Sequence, residues 1–422
     1  MIDVELSVFA ILAFILIGLV LTGMILYARA YLIKTTPCLI RINDKEELSR
    51  EVVGGQTLLA ALTKEGFAIP SPCGGKATCK QCRVRVMEGG GEILETDRAT
   101  FSPKELTLGW RLSCQCKVKE DLKIKLPESM LSLKKIEAVV LSNENVATFI
   151  KELVVQIESP IQYIPGDYLQ FHVNGYQTST SEWKGTMNPK YHTDWERFGL
   201  FNQQIVYRGD EVIRAYSMAS YPKEGNLLKF NIRIATPPFQ GGKMIDAPWG
   251  ICSSYIFMLK PGDKVTLSGP FGESHMIDSD QELIFLIGGA GASFGRSHIL
   301  DLFYTHQTKR KVTLWYGARS LKENIYQAEY EALAEQFPNF TYRLVLSEPT
   351  PEDVAAGWPK NDPLKTAFLF KAFRDGQLNQ MDTPENCLYY VCGPPMHNSS
   401  ILKMLDEYGV PKDNIILDDF GN

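Results

Sequence analysis

The sequence predicts a multidomain chain: an N-terminal transmembrane helix, a ferredoxin-like β-grasp domain, an antiparallel β-barrel and an α/β domain with a parallel sheet. Three observations predict it. Four cysteines, Cys73, Cys79, Cys82 and Cys114, include three on one short glycine-containing stretch. An uncharged apolar run extends from Leu6 to Ala28. Near residue 282 the rhythm changes from closely spaced strand-like runs to strands alternating with helical stretches.

As a helix, the apolar run would reach about 34 Å at about 1.5 Å per residue, against a hydrocarbon core of about 30 Å. A cleaved signal peptide is the competing reading, because Ala28-Arg29-Ala30 faintly resembles a cleavage site. Against it stand Asp3 and Glu5 where lysines are expected, and the length of the run. Arg29, Lys34 and Arg41 follow, so the positive-inside rule puts the remainder on the cytoplasmic side. The expected layout is an anchor over 1–33 (span about 6–28), a cysteine-bearing domain over 36–129, a barrel over 132–278 with an insertion at about 174–204, and an α/β domain over 281–422.

The cysteines follow the plant-type [2Fe–2S] pattern C-x4-C-x2-C…C, with one extra residue in the first gap. Two irons and two sulfides need four thiolates, three of them on a loop wrapped around the cluster. Gly74 and Gly75 let that loop approach the sulfides and turn backbone N–H groups toward them. A zinc site is the alternative, but zinc sites usually show two paired knuckles and only Cys79 and Cys82 are spaced that way. Cys114-Gln115-Cys116 offers two fourth ligands; the local string favours Cys114, with Cys116 in reserve. The nine cysteines are odd in number, and Cys38, Cys252, Cys387 and Cys392 are scattered, which fits a reducing compartment and not a disulfide framework. Net charge is −5 with no basic stripe, so no nucleic-acid partner is expected.

The elements follow in order. Cys38–Ile42, Cys82–Val86 and Leu122–Leu126 alternate like half-buried strands, and Thr57–Lys64 reads as a short helix. Ser102-Pro103-Lys104-Glu105 is a capping box with proline at the first helical position. Ala138–Leu141, Tyr168–Val173 and Leu227–Ile234 are strands of the barrel, and Ser254–Leu259 a helix. Strands Leu283–Ile287, Val312–Tyr316, Tyr342–Leu346 and Leu388–Cys392 alternate with helices Ile325–Gln336 and Met396–Tyr408, and Asn414–Leu417 reads as a last buried strand.

Arg214-Ala215-Tyr216-Ser217 is weak alone, since an ordinary strand with an exposed arginine explains it. It gains weight from Gly250-Ile251-Cys252-Ser253-Ser254, a glycine and two serines at a helix start, which is a natural pyrophosphate seat. Arg214 would add a charge-assisted hydrogen bond. Tyr216 is expected against an isoalloxazine face, with the Ser217 hydroxyl toward flavin N5. In Phe285–Ser297 a buried strand runs into Gly288-Gly289-Ala290-Gly291 and then a helix, the physics of a dinucleotide turn. A tight strand–helix connection is the bland reading, and no acidic residue ends the next strand, where Gly317-Ala318-Arg319-Ser320 stands. Cys392-Gly393-Pro394-Pro395 ends a strand; Cys392 is either a small core residue or faces a nicotinamide. Phe420 is a core plug, a frayed tail or an aromatic lid on the flavin.

In this order the motifs resemble the ferredoxin–NADP reductase superfamily with a fused [2Fe–2S] domain. With an apolar span in front, the chain resembles the F subunits of Na⁺-translocating NADH:quinone reductases. Glu95-Thr96-Asp97-Arg98, Arg111–Gln115, Asn145–Leu153, Trp315–Ser320 and Asp418-Asp419-Phe420-Gly421 strengthen the likeness. One departure is Ser293-Phe294-Gly295, where relatives usually carry Ala-Pro-Met. The resemblance implies FAD and a [2Fe–2S] cluster as cofactors and NADH as substrate. Tyr216, Ser217, Cys392 and Phe420 would act at the hydride; Arg214, Cys252, Ser253, Ser254, Gly250, Gly288, Gly289, Gly291, Arg319, Gly393 and Pro394 would bind cofactor or nucleotide. It also implies integral-membrane partner subunits, quinone as terminal acceptor, Na⁺ export, and a bacterial inner-membrane location. Two other functions remain open: a reductase feeding an oxygenase, and a non-catalytic redox sensor.

Overall fold

A computed structural model describes residues 2–32, 36–131, 135–241 and 243–419; for 2–10, 26, 28–32, 129 and 243 it describes the backbone alone. Phe420, Gly421 and Lys34 lie outside the described residues. Helix α1 (Ile2–Leu32) covers the apolar run. Among the described residues no helix is long and apolar enough to cross a membrane, so the expected span is not established. The chain divides into two compact units, residues 1–71 with 75–133, and residues 72–74 with 134–422.

The first unit holds strands β1 (Pro37–Ile42) and β2 (Lys45–Val53), helix α2 (Leu58–Lys64), β3 (Arg83–Glu88), the short helices α3 (Glu95–Arg98) and α4 (Pro103–Thr107), and strands β4 (Trp110–Leu112) and β5 (Leu122–Lys125). The sheet runs β2-β1-β5-β3-β4, with β1 and β5 parallel. Alternation fixes its faces: Cys38, Ile40 and Ile42 on β1 and Leu122 and Ile124 on β5 point into one core with Leu58 and Leu62 of α2. Thr57 caps α2, accepting from Ala60 N–H at 3.2 Å. The capping box at Ser102 forms, with Ser102 N–H donating to the Glu105 carboxylate at 2.8 Å. Sequence patterning does not single out the buried ion pair of this unit. Arg111 Nε lies 3.2 Å from Asp97 Oδ2, and Arg111 Nη2 donates to the carbonyls of Gly90, Gly91 and Glu92. Asp97 in turn accepts from the N–H of Leu94 and Leu112. This pair ties the Gly89–Gly91 turn to the segment that leads into Cys114.

The second unit begins with the barrel: β6 (Lys135–Ala147), β7 (Ile150–Ile157), β8 (Tyr168–Val173), β9 (Tyr176–Ser179), α5 (Thr180–Lys184), α6 (His192–Arg197), β10 (Gln204–Tyr207), β11 (Val212–Ser217), β12 (Leu227–Arg233), the small hairpin β13 (Phe239–Gln240) and β14 (Lys243–Met244), α7 (Ile251–Met258) and β15 (Lys264–Phe271). Six strands pair antiparallel in the order β11-β8-β15-β6-β7-β12 around Leu153, Phe171, Phe230 and Leu267. The insertion is folded, with β9, α5, α6 and β10 enclosing Trp183, Tyr191 and Trp195 in a small aromatic core. Helix α7 starts at Ile251, earlier than the expected Ser254. Gly250 N–H donates to Ala235 O at 2.8 Å and takes the N-cap position, which moves the helix start upstream.

The α/β part follows: β16 (Leu283–Gly288), α8 (Ala292–Leu300), β17 (Val312–Ala318), α9 (Gln327–Gln336), β18 (Phe340–Leu346), α10 (Pro351–Ala355), α11 (Leu369–Gly376), β19 (Leu388–Cys392), α12 (Pro395–Glu407) and β20 (Ile415–Asp418). All five strands are parallel, ordered β18-β17-β16-β19-β20. The last strand is half-buried, not buried as expected, because it forms the sheet edge. Two cores flank the sheet, one built on Phe285, Ile287 and Tyr316, the other on Leu286, Trp315 and Phe373.

Arg296 on α8 joins the sheet to the barrel. Nη1 donates to Ala219 O at 2.8 Å, both Nη groups hold Glu224, and Nε and Nη2 hold Glu329 of α9. Ser293-Phe294-Gly295 fits this seam. Ser293 Oγ accepts from Asn231 N–H at 2.9 Å, and a Cβ at Gly295 would stand 3.1 Å from Ile287. Burial alone pushes the Glu224 carboxyl up, but the Arg296 hydrogen bonds and charge outweigh it and hold the carboxyl below the usual range.

Two stability outcomes are expected. Arg296→Met leaves Glu329 without its cation and Glu224 with Lys229 alone, and should destabilise the second unit by about 3–5 kcal/mol. Because the Glu224 pKa is depressed by folding, its stabilising share is present above the ordinary carboxylate pKa and is lost as pH falls through the depressed value. Urea unfolding of native and variant protein across the acid range should therefore show the gap narrowing toward low pH. Asp97→Ala should cost a similar amount, about 3–5 kcal/mol, in the first unit; an unchanged urea midpoint would show that the pair contributes little.

Candidate functional site

On the barrel, β11 carries Arg214, Tyr216 and Ser217 beside β8, with Arg214 opposite Phe171 and Tyr216 opposite Leu169. The half-buried Tyr216 ring stands edge-on to Phe171, centroids 5.4 Å apart. Arg214 Nη1 donates to Ile213 O at 2.8 Å. At the start of α7, a Cβ on Gly250 would lie 2.6 Å from the Ala235 Cβ, so only glycine lets the two segments meet. Ser253 Oγ accepts from Ala235 N–H at 3.1 Å and closes this turn. Ser254 Oγ is buried and forms no hydrogen bond of ordinary geometry among the described residues. A buried hydroxyl with the Tyr176 hydroxyl as its neighbour, beside the N–H groups of a helix start, suits the chemistry a pyrophosphate supplies. Cys252 reaches toward Val212 O at 3.8 Å, and burial pushes its thiol up to about 12.

The sheet contributes the other side. Gly288 ends β16, Gly289 sits at φ +57°, and α8 starts at Ala292. A Cβ on Gly291 would come within 2.3 Å of Cys392 O and 3.1 Å of its Sγ. His397, which sequence reasoning does not mark, packs against both glycine turns. A Cβ on Gly393 would lie 2.6 Å from its ring and one on Gly288 3.2 Å, while Nε2 is 3.1 Å from Leu286 O. Pro394 is the N-cap of α12.

The two sides meet at Ser217. Its hydroxyl donates to Asp418 Oδ2 at 2.9 Å, and Asp418 pairs with Cys392 across β19 and β20. Burial pushes the Asp418 carboxyl up to about 6; the Ser217 hydrogen bond opposes this and the Asp419 charge adds to it. Cys392 is fully buried, and burial with those two carboxylates raises its thiol well above the usual range. Ser217 and Cys392, far apart in sequence, are thus brought to one place, with Asp418 as the link between them. Arg319 stands just past the end of β17, its guanidinium over the Phe149 ring at 5.8 Å and Glu323 at 3.7 Å.

In the first unit, the loop before β3 turns through left-handed positions at Gly75 (φ +90°), Ala77 (φ +63°) and Lys80 (φ +57°), leaving its N–H groups outside any regular ladder. Cys82 and Cys114 are adjacent. A hydrogen bond between them, with burial, pushes the Cys82 thiol up. Gln115 Nε2 points at Cys114 Sγ from 3.6 Å. Cys116 faces away, toward Gly90 O at 3.7 Å. Among the described residues no group of three or more His, Cys, Asp or Glu gathers as a single metal ion would need. A two-iron cluster asks for thiolates spread over two irons, and the contact of Cys82 with Cys114 fits that donor set.

Comparison with known proteins agrees with this division. Residues 40–119 match a 2Fe-2S iron-sulfur cluster binding domain, 199–276 an oxidoreductase FAD-binding domain and 285–400 an oxidoreductase NAD-binding domain. Among solved structures, an Amycolatopsis cytochrome P450 reductase aligns with TM-score 0.59 at 20% identity, covering 91% of this chain and 99% of that one. The ferredoxin reductase of a carbazole 1,9a-dioxygenase aligns at 0.55 and 20%, covering 91% and 98%. At that identity they show the fold. The F subunit of the Na⁺-translocating NADH-quinone reductase of Chlamydia pneumoniae is 61% identical over 98% of this chain and 97% of its own length. Its counterpart in a Neisseria meningitidis serogroup C strain is 44% identical over 98% and 99%. With the cysteine loop, the β11 strand and the glycine turn all in place within that shared length, the chain belongs to the family of Na⁺-translocating NADH-quinone reductase F subunits.

Proposed function

We propose that this chain is the NADH-oxidising subunit of a membrane quinone reductase, and that its chemistry is centred where Ser217, Asp418 and Cys392 meet. That convergence carries the reading, because it sets a barrel strand suited to a flavin against the C-terminal edge of a nucleotide-binding sheet, where α/β sheets hold their ligands. When bound, FAD takes the hydride as an electron pair and the [2Fe–2S] cluster passes electrons on singly toward partner subunits and quinone.

The chain's own residues prepare the site. The N–H groups at the start of α7, with Arg214 and Ser254 Oγ, would hold the flavin pyrophosphate. Gly288, Gly289 and Gly291 would let the nicotinamide nucleotide's phosphates approach the start of α8. Tyr216 would bound one face of the ring system. Cys392, protonated and buried, offers an uncharged thiol at the end of β19. Ser217 and Asp418 together hold a proton that Asp418 would exchange near pH 6. Cys73, Cys79, Cys82 and Cys114 are the proposed cluster ligands. For α1 we propose a single membrane anchor, supported by the uncharged run Leu6–Ala28 and by the exposure of Phe14 (80%) and Ile25 (66%). That anchor favours a membrane complex over a soluble oxygenase reductase.

Two outcomes test the reading. Cys79→Ala should remove the cluster's EPR signal while FAD stays bound and is still bleached by NADH; loss of flavin with the cluster would refute the separation of the two sites. Single-turnover flavin reduction should show an inflection near pH 6, set by Asp418. Asp418→Asn should lose that inflection and behave at every pH like the native protein below about pH 6, since the amide mimics the protonated acid. Persistence of the inflection in the variant would assign it elsewhere.

A further inference from the structure

We propose that Asp194 and Glu323 set the preference for NADH over NADPH by occupying the two cations that a 2′-phosphate would need. This rests on the reading of the parallel sheet as the NADH site. In such sheets the adenosine ribose is met just past the strand that follows the glycine turn, and an arginine there accommodates a 2′-phosphate. Past β17 the chain reads Arg319-Ser320-Leu321-Lys322-Glu323. By composition this stretch suits a 2′-phosphate.

The geometry sets a carboxylate beside each cation. Lys322 Nζ lies 2.5 Å from Asp194 Oδ2. Arg319 Nη2 lies 3.7 Å from Glu323 Oε1, with its guanidinium over the Phe149 ring. Thr148 aims both carboxylates. Its N–H donates to Glu323 Oε2 at 3.1 Å, its hydroxyl donates to Glu323 Oε1, and that hydroxyl also lies 3.4 Å from Asp194 Oδ2. The side chains are partly withdrawn from water, Glu323 to 11% exposure and Asp194 to 22%, so their charges are screened less than surface charges. A 2′-phosphate, bearing about two negative charges, would meet two carboxylates whose counter-ions are engaged. The 2′-hydroxyl of NADH carries no charge and meets no such repulsion. Arg233, at the end of β12, is a further cation near Arg319; burial and the Arg319 charge hold its guanidinium below the usual range.

This gives the barrel insertion a task. Asp194 lies on α6 of the insertion, whose Tyr191 hydroxyl donates to Lys322 O at 3.3 Å and whose Trp195 Nε1 donates to Thr148 O at 2.7 Å. The aromatic core of the insertion thereby fixes the carboxylate against the sheet.

The test uses the full-length, FAD-loaded protein with ferricyanide as acceptor, and compares kcat/KM for NADPH and NADH. In Asp194→Asn/Glu323→Gln the NADPH:NADH ratio should rise roughly tenfold, chiefly through a lower KM for NADPH. Adding Lys322→Met and Arg319→Met should cancel that gain. A double variant that turns over NADH normally with an unchanged ratio would overturn the proposal. Should the double variant lose its flavin, Asp194→Asn alone decides. With Lys322 released from its partner, the NADPH:NADH ratio should rise severalfold, and an unchanged ratio would overturn the proposal. Failure of the underlying reading looks different: the unaltered protein would not turn over NADH at all.

Discussion

All five guanidinium N–H donors of Arg296 are used, two carboxylates and one carbonyl receiving them. Its partners come from the loop after β11, the turn before β12 and helix α9. The same guanidinium lies over the Tyr326 ring at 5.1 Å, and Tyr326 is itself bound to Asn231 of β12. A planar fork with every donor filled has one orientation, so it fixes the angle between barrel and sheet as well as their contact. The 2.9 Å bond between Ser217 and Asp418 depends on that angle. Each residue sits at the end of its own strand, and neither strand alone would place it.

The first unit solves a smaller version of the same problem. Asp97 and Arg111 are buried, and their remaining hydrogen-bonding capacity goes to backbone groups of the glycine turn and of β4. Removing either partner would strand a charge where water cannot reach it. The pair thus acts on Cys114 at one remove, by holding the strand that ends just before it.

Much of the molecule is legible in the sequence for physical reasons that can be named. The cysteine spacing, the glycine turn and the alternating strands are local patterns, and local patterns survive without knowledge of the fold. Ser102 and Glu105 announce their helix because a capping box is complete within four residues. Arg296, Glu224 and Glu329 are not legible as a group, since their pairing depends on which helix packs on which barrel turn. Asp418 stands in a recognisable terminal string, but its contact with Ser217 joins residues about two hundred positions apart. His397 carries no signal of its own: its meaning lies in two glycines that leave room for its ring. The start of α7 is misplaced when Gly250 is read as a phosphate residue alone, because it is also the cap. The insertion shows little periodicity because its apolar residues are aromatics spaced for a small cluster, which gives no helical or strand period.

The contact between Gly291 and Cys392 has an evolutionary consequence. A methyl group at position 291 would overlap the Cys392 carbonyl, so β19 could not stay where it is, and β20, paired to it, would shift in step. Position 291 is therefore fixed by the backbone path of two strands, whatever side chains those strands carry at 392 and 418. A lineage that changes the glycine must move both strand ends together. Among descendants of this chain, divergence should accumulate on exposed helix faces, while position 291 stays glycine.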